Sequence, residues 1–131
     1  SGPAVWGELA THSARIKGIA GVVIWGGIRD VGEIRKLEFP SWAKIITPQA
    51  GEPRGLGEMS VPLQLGGVLV KPGDWIAGDA DGLMLIPKEQ AAETANRAMD
   101  VLEKENRIRS EIMKKRKSLA EVTELLKWEK K

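Results

Sequence analysis

The chain has 131 residues, a formal net charge of +2 and no cysteine. This length suffices for one domain with a modest hydrophobic core. The lack of cysteine excludes disulfides, thiolate metal ligands and cysteine nucleophiles, and it makes a cytoplasmic protein the simplest interpretation. The apolar runs at 18–28 and 65–70 are too short to span a bilayer, so no membrane partner is expected.

Apolar spacing predicts the first helix and the first strand. Residues 5–17 have helical periodicity and are followed by Gly18, which favours the left-handed conformation that ends many helices. The continuous apolar run at 21–25 is typical of a strand buried on both faces. The predicted inner face of the helix consists of Val5, Leu9, Ala10, Ala14 and Ile16.

A second helix, a second strand and a group of short strands follow. Residues 30–37 predict a short helix with Asp30 as its N-cap, and residues 42–46 predict a strand. Residues 47–60 carry prolines and glycines without periodicity, so they predict a long loop. Beyond this loop, turn sequences separate short β segments that form a meander. These segments are 61–65, 67–70, 75–78 and 83–86.

The last third of the chain loses glycine and gains charge. Residues 88–116 predict one long amphipathic helix. Ser118 and Glu121 predict the capping box of a second helix, whose apolar side includes Leu125 and Leu126. Helices of this length need a surface to pack on, either the core or a neighbouring subunit. The expected domains are an α/β core, 1–87, and a helical extension, 88–131.

Most of the positive charge lies near the C-terminus. Lys114, Lys115, Arg116 and Lys117 form a basic run, which later lysines extend. Such a run is more often a solvated helix face than a nucleic-acid contact, and the tryptophans are not interleaved with arginines. The charge pattern therefore argues against nucleic acid as a partner.

Arg29 and Asp30 are the strongest candidates for a functional site. They follow the predicted strand shortly after Gly26 and Gly27, and strand ends are where open α/β sheets place their ligands. A guanidinium suits a carboxylate or an enolate, and a carboxylate suits Mg²⁺. On local grounds two interpretations of Asp30 stay open, a helix cap and part of a site for an anionic, metal-chelating ligand.

The start of the first helix supplies a second candidate. Unpaired N–H groups at a helix N-terminus bind carboxylates and phosphates, and Gly7 permits an anion to approach Glu8, Leu9 and Ala10 closely. Glu8 alone is explained by the helix dipole, which favours an acidic residue in the first turn. Only in combination with Arg29 does this helix start predict an anion site.

Three other residues are weaker candidates. One histidine makes neither a triad nor a typical zinc site, which favours a surface or packing role for His12. Asp79 and Asp81 flank a turn before Gly82, so they are expected to serve its backbone rather than a metal.

The two candidate elements together resemble the core motif of the RraA-like family. This family includes 4-hydroxy-4-methyl-2-oxoglutarate aldolases, oxaloacetate decarboxylases, ribonuclease E activity regulators and proteins mislabelled as dimethylmenaquinone methyltransferases. The matching runs are 7–10, 18–24, 26–31, 39–40, 61–62, 66–68, 72–74, 79–82, Pro87, 105–108 and Ser118. The resemblance implies a swivelling β/β/α domain and a divalent-metal-dependent class II lyase, which cleaves or decarboxylates a 2-oxo acid to give pyruvate.

The resemblance also implies a role for each site residue. Asp30 would ligate a divalent cation, Mg²⁺ or Mn²⁺, and Glu8 would hold a water molecule in the outer shell of that cation. Arg29 would bind the substrate carbonyl oxygen and stabilise the enolate, so Arg29 and Glu8 would be the catalytic residues. Backbone amides at the helix start would hold the substrate carboxylate. The implied substrate-binding residues are Gly7, Glu8, Leu9, Ala10 and Arg29.

The chain departs from the family pattern in ways that leave alternatives open. Regulators in the family lack the metal-binding aspartate, so Asp30 favours an enzyme. The family's N-terminal helix and strands are absent, so we expect a fragment, or an upstream domain or second chain that supplies them, as in hexulose-phosphate synthase fusions. The resemblance implies a homotrimer or hexamer. The alternatives are a non-catalytic regulator of ribonuclease activity and an oligomerising module of a larger fusion enzyme.

Overall fold

Three parallel strands form the main sheet, in the order β1 (Ala4–Trp6), β2 (Val22–Ile28), β3 (Ser41–Ile46). The computed structural model describes residues 2–55 and 57–123. Because all three strands are parallel, their carboxyl ends lie along one edge of the sheet. The alternation of strands and helices confirms the predicted α/β class. The elements of this region are β1 (Ala4–Trp6), α1 (Glu8–Ile16), β2 (Val22–Ile28), α2 (Val31–Lys36) and β3 (Ser41–Ile46).

Short strands and two further helices make up the rest of the described chain. The strands pair as two-stranded sheets, β4 with β5 and β6 with β7. Each overlaps a β segment predicted from the turn sequences. A 3-10 turn at Lys88–Gln90 precedes α3. The elements are β4 (Leu63–Leu65), β5 (Val68–Val70), β6 (Trp75–Gly78), β7 (Leu83–Ile86), α3 (Ala91–Lys115) and α4 (Leu119–Thr123).

The chain divides into two compact units. The first extends as far as Pro72 and includes Gly78–Leu83, and the second consists of Gly73–Ala77 and the described residues from Met84 onward. The division predicted after residue 87 stays a prediction. The hydrophobic core of the first unit consists of Ala14, Ile28, Ile34 and Phe39.

The prediction of a helix over residues 5–17 is wrong at its start. Residues 4–6 form β1, because they pair with the end of β2: Ala4 lies opposite Gly27 and Trp6 opposite Ile28. The predicted inner face of α1 is confirmed at Ala14 but wrong at Leu9 and Ile16. Leu9 and Ile16 are 74% and 87% exposed, and the buried residues of α1 are Thr11 and Ala14.

Gly18 ends α1 as predicted. Its φ of 70° lies in the left-handed region. The Gly18 N–H donates to the Arg15 carbonyl and the Ile19 N–H to the Ala14 carbonyl, each at 3.0 Å. These two bonds define a Schellman motif, which satisfies carbonyl groups that the end of the helix would leave unpaired.

The strand predicted at 21–25 is present as β2, but it is not buried on both faces. Trp25 is 55% exposed, and the Lys44 Nζ lies 4.9 Å from the centre of its ring.

The long loop is hydrogen-bonded to β1. The Ala4 N–H of β1 donates to the carbonyl of Gln49 in the loop at 2.8 Å, and the Gly51 N–H of the loop donates to the Ala4 carbonyl at 3.1 Å. This part of the loop therefore runs beside β1.

The C-terminal helices follow the prediction closely within the described residues. The Ser118 N–H donates to Glu121 Oε2 at 2.7 Å, and the Glu121 N–H donates to Ser118 Oγ at 3.3 Å, which confirms the capping box. No residue of α3 is buried. Leu125, Leu126 and the lysines that follow them lie outside the described residues. None of the helices in 2–55 and 57–123 is long and apolar enough to cross a membrane.

Candidate functional site

The predicted pair of Arg29 and Asp30 lies at the carboxyl end of β2, where the strand passes into α2. The Arg29 N–H donates to the Trp6 carbonyl at 3.0 Å, which fixes the backbone of Arg29 to the end of β1. Asp30 follows with a φ of 57°, in the left-handed region. A left-handed aspartate is uncommon, and it turns the chain sharply at this point.

The carboxylate of Asp30 does not cap α2. Asp30 occupies the N-cap position, but its side chain makes no capping hydrogen bond. Instead Asp30 Oδ2 accepts a hydrogen bond from the Glu8 N–H at 3.2 Å, and it lies 3.7 Å from Arg29 Nε. The side chain therefore bridges the end of β2 to the first turn of α1, and the interpretation of this side chain as a helix cap is wrong.

Gly7 makes this close approach possible. A Cβ at position 7 would lie 2.7 Å from Asp30 Oδ2 and 3.1 Å from Arg29 Cγ. Both distances are shorter than normal contacts, so any side chain at this position would displace the pair. The sequence predicted that Gly7 admits an anion to the helix start, and the anion at this position is the carboxylate of Asp30.

The corner between β1 and α1 is held by residues that the sequence reasoning missed. Thr11 Oγ1 donates to the Gly7 carbonyl at 3.0 Å and accepts a hydrogen bond from Trp6 Nε1 at 2.9 Å. Thr11 is fully buried. The available signal in the sequence was the position of Thr11, four residues after Gly7, the N-cap of α1.

Glu8 and His12 form a pair on the exposed side of α1. His12 Nε2 lies 2.8 Å from Glu8 Oε1, one helical turn away, and the two side chains are 50% and 32% exposed. The predicted surface role of His12 agrees with this exposure, but the contact with Glu8 was not foreseen. The histidine therefore limits the orientations of the Glu8 carboxylate.

An open cavity of about 330 Å³ lies against the first turn of α1. The N–H groups of Leu9 and Ala10 belong to this first turn, where no intrahelical acceptor is available to them. Arg29 supplies a positive side chain to the same cavity, and Glu52 and Pro53 of the long loop were not foreseen. The lining residues are Ala4, Val5, Trp6, Gly7, Leu9, Ala10, Arg29, Gly51, Glu52 and Pro53.

The structure thus brings the predicted site residues together in one corner. Gly7, Leu9, Ala10 and Arg29 line the cavity, whereas Glu8 and Asp30 are joined by a hydrogen bond beside it. The cavity combines the guanidinium of Arg29 and the positive end of the α1 dipole with the carboxylate of Glu52.

The weaker candidates serve the backbone or have no cluster around them. Asp79 Oδ1 accepts hydrogen bonds from the N–H groups of Asp81 at 2.8 Å and Gly82 at 3.3 Å, as predicted for a turn. Within the described ranges, no group of three or more His, Asp and Glu side chains is placed to hold a metal ion.

The fold and this corner define an α/β domain with an open cavity at the carboxyl ends of parallel strands, lined by Arg29 and the first turn of α1. The chain belongs to the RraA-like family: the family model, described as Aldolase/RraA, matches residues 1–85.

Two curated relatives illustrate the similarity in sequence. An uncharacterized protein of Methanocaldococcus jannaschii is 48% identical over 111 residues, which cover 85% of this chain and 53% of that protein. A 4-hydroxy-4-methyl-2-oxoglutarate aldolase of Thermus thermophilus is 43% identical over 72 residues, which cover 55% of this chain and 44% of that protein. The chain spans about half the length of these relatives.

Two solved structures illustrate the similarity in fold. An uncharacterized protein from Pseudomonas syringae has a TM-score of 0.81 at 30% identity, over 92% of this chain and 60% of that chain. The RNA-processing inhibitor RraA from Thermus thermophilis has a TM-score of 0.61 at 40% identity, over 66% of this chain and 52% of that chain. The names of the relatives therefore include both an aldolase and an inhibitor of RNA processing.

Proposed function

We propose that this chain carries the site of a divalent-metal-dependent lyase, which cleaves or decarboxylates a 2-oxo acid to give pyruvate. The observation that carries the proposal is the convergence of the Arg29 side chain and the first turn of α1 on one cavity, next to the Asp30 carboxylate. A 2-oxo acid presents a carboxylate and a carbonyl oxygen on adjacent carbons. The corner offers one group of donors for each.

The first turn of α1 is proposed to hold the substrate carboxylate. Leu9 and Ala10 line the cavity, their N–H groups lack intrahelical acceptors, and the helix dipole adds to the attraction of this turn for an anion. The Glu8 N–H is already bonded to Asp30. The substrate carboxylate is therefore expected to bind the N–H groups of Leu9 and Ala10 rather than that of Glu8.

Arg29 is proposed to bind the carbonyl oxygen of the substrate. When oxaloacetate loses CO₂, the electron pair of the broken carbon–carbon bond moves into the remaining fragment and places negative charge on this oxygen. The backbone of Arg29 is fixed to the end of β1, and its Nε lies 3.7 Å from Asp30 Oδ2. A guanidinium placed at this corner would stabilise the charge on that oxygen. The resulting pyruvate enolate then takes one proton from solvent at the carbon where the bond broke.

The side chains at this corner fit a divalent cation bound mainly through solvent and substrate. Mg²⁺ commonly keeps several waters and uses only one or two protein carboxylates, so a single aspartate is a sufficient protein ligand. Asp30 Oδ2 accepts from the Glu8 N–H, and a carboxylate with two oxygens retains further acceptor capacity. Asp30 would hold the ion, with Glu8 beside it, and the ion when bound would neutralise part of the enolate charge.

The test is pyruvate release from oxaloacetate, measured with Mg²⁺ or Mn²⁺ and with EDTA, after subtraction of the decarboxylation that the metal causes without protein. We expect turnover with metal and none with EDTA. Asp30→Ala should abolish the protein-dependent turnover while circular dichroism stays unchanged. Asp100→Ala, which removes an exposed carboxylate of α3, is the matched control and should retain activity. Equal activity of the Asp30→Ala protein would contradict the site.

We further propose that the active assembly contains several copies of the chain, a homotrimer or a hexamer. Large apolar side chains near the cavity are exposed, including Leu9 at 74% and Val5 at 70%. Exposed apolar surface of this kind is typical of interfaces. Light scattering after size exclusion should give the mass of a trimer or hexamer, and a monomer at the concentration of the activity assay would contradict this proposal.

A second candidate function is regulation of RNA processing without catalysis. The similarity to a protein described as an RNA-processing inhibitor favours it. A regulator should show no turnover of 2-oxo acids with or without EDTA, and it should inhibit a purified ribonuclease. Inhibition that survives Asp30→Ala, in a protein without turnover, would favour this function over the lyase.

A further inference from the structure

Thr11 stands out because it is polar and yet 0% exposed. A buried hydroxyl is costly unless it is hydrogen-bonded, so its position on the inner face of α1 requires partners. The proposed lyase mechanism gives Thr11 no contact with substrate, since it does not line the cavity. The role of Thr11 therefore follows from the groups to which it is hydrogen-bonded.

Thr11 connects β1 to the start of α1. Its Oγ1 donates to the Gly7 carbonyl at 3.0 Å, and its N–H donates to the same carbonyl at 3.1 Å. Oγ1 also accepts a hydrogen bond from Trp6 Nε1 at 2.9 Å. The carbonyl of Gly7, the N-cap of α1, therefore accepts two hydrogen bonds from Thr11. The Oγ1 that donates one of them is also bonded to Trp6 of β1.

The same tryptophan also holds Arg29. The Trp6 carbonyl accepts a hydrogen bond from the Arg29 N–H at 3.0 Å. Trp6 thus binds Arg29 through its backbone and Thr11 through its indole. A continuous series of hydrogen bonds runs from Arg29 through Trp6 and Thr11 to Gly7, and it links the two sides of the cavity.

We infer that Thr11 is a positioning residue, which sets the first turn of α1 in register with Arg29 through its bonds to Gly7 and Trp6. The inference rests on the proposed function, because it assumes that both groups bind one ligand. A misplacement of about 1 Å between binding groups is enough to reduce turnover by about 100-fold. The hydroxyl of Thr11 is what prevents such a displacement.

The experiment compares Thr11→Val with Thr11→Ser in the full chain. Valine keeps the shape of threonine but loses the hydroxyl, whereas serine keeps the hydroxyl. Thr123→Val is the matched control, because Thr123 Oγ1 makes the same bond to a carbonyl one turn earlier, that of Leu119, at 2.8 Å. The probe is oxalate, a planar mimic of the pyruvate enolate, titrated calorimetrically in the presence of Mg²⁺.

We expect Thr11→Val to raise the Kd for oxalate about tenfold or more and to lower kcat for oxaloacetate, and Thr11→Ser to restore both to within about threefold. Thr123→Val should leave both unchanged. Unchanged oxalate affinity and kcat in a folded Thr11→Val protein would overturn the inference. If that protein does not fold, Trp6→Phe removes the indole donor together with part of the ring and should weaken oxalate binding in the same direction; unchanged binding would again overturn the inference.

Backbone amide NMR separates this inference from the proposed function. Thr11→Val should shift the Leu9, Ala10 and Arg29 amide resonances even in a protein with no turnover, and Thr11→Ser should return them. Absence of turnover in the unmodified chain, with these shifts present, would reject the lyase and keep the positioning role. Amide shifts confined to Thr11 and its sequence neighbours, with Arg29 unmoved, would reject the positioning role.

Discussion

The β1–α1–β2 corner and the long helix α3 hold their charged side chains in different ways. In the corner, Asp30 is bonded to Glu8, a residue 22 positions earlier in the chain. On α3, Glu93 pairs with Arg97 at 3.6 Å and Glu111 with Lys115 at 2.8 Å, each one helical turn apart. The charges in the corner are placed by tertiary structure, whereas those of α3 are placed by the helix alone.

This difference indicates which charged side chains can be substituted with little effect. The hydrogen bond from Lys115 holds the pKa of Glu111 below its ordinary value, but the Glu111 and Lys115 side chains are 38% and 59% exposed. Exposed pairs of this kind contribute little to stability, and salt screens them. A pair fixed between two elements has one geometry, so a change of side chain there alters a site rather than a surface. Matched substitutions in the two regions should therefore differ sharply in effect.

The largest effect is expected from Gly7→Ala. The added Cβ would meet Asp30 Oδ2 at 2.7 Å, so the pair at the end of β2 must move. We expect a loss of about 1–3 kcal/mol in the free energy of unfolding and a fall of about 100-fold in turnover. Gly32→Ala in α2 is the matched control, because nothing lies within 4 Å of its Cβ.

Chemical denaturation and the oxaloacetate assay measure both glycine variants. Gly32→Ala should raise stability by about 0.5–1 kcal/mol, since alanine is the better helix former. Two variants of equal stability and activity would show that the corner is as tolerant as a helix surface, and the contrast between the regions would be lost.

A smaller effect is expected from Arg29→Lys. Lysine keeps the charge but lacks the planar array of donors, so we expect kcat/KM for oxaloacetate to fall about 10- to 100-fold. Arg97→Lys on α3 keeps an exposed pair with Glu93 and should leave the kinetics unchanged. Steady-state kinetics on both proteins decide, and an Arg29→Lys protein with native kcat/KM would remove the guanidinium from the proposed mechanism.

The smallest effect is expected at the start of α4, from acid. The hydrogen bond from the Ser118 N–H holds the pKa of Glu121 below its ordinary value of 4.5. A lowered pKa means that the cap stabilises α4 fully above pH 4.5 and is lost as the pH falls through the lower, folded value. The amide resonance of Ser118 should titrate in this acidic window.

Glu121→Gln provides the control for this titration. Glutamine can still accept the Ser118 hydrogen bond but does not ionise, so the resonance should become independent of pH. A Ser118 amide that titrates equally in both proteins would assign the effect to another group.

The sequence predicted best those features that depend on local geometry. Gly18 ends α1 because a residue without a side chain adopts the left-handed backbone conformation without a clash. Ser118 and Glu121, three positions apart, cap α4. Asp79 holds its own turn. In each case the residues that decide the structure lie within a few positions of one another, so their pattern is visible in the chain.

The sequence failed where distant pairing decides the structure. The segment Ala4–Trp6 has helical spacing with the residues that follow, and only its pairing with β2 makes it a strand. Thr11, rather than Leu9, lies on the buried face of α1, because its hydroxyl is hydrogen-bonded to Trp6 and Gly7. Glu52 enters the cavity through a loop without periodicity, so no pattern could place it.

The contacts that define the corner are close together along the chain. β1, α1 and β2 are consecutive, and the bonds among Trp6, Thr11, Gly7 and Arg29 all fall within residues 4–30. Closing so short a segment costs little chain entropy, and low contact order favours rapid folding. The corner is therefore expected to assemble as one early βαβ unit, so that its hydrogen bonds form before the long loop closes the other side of the cavity.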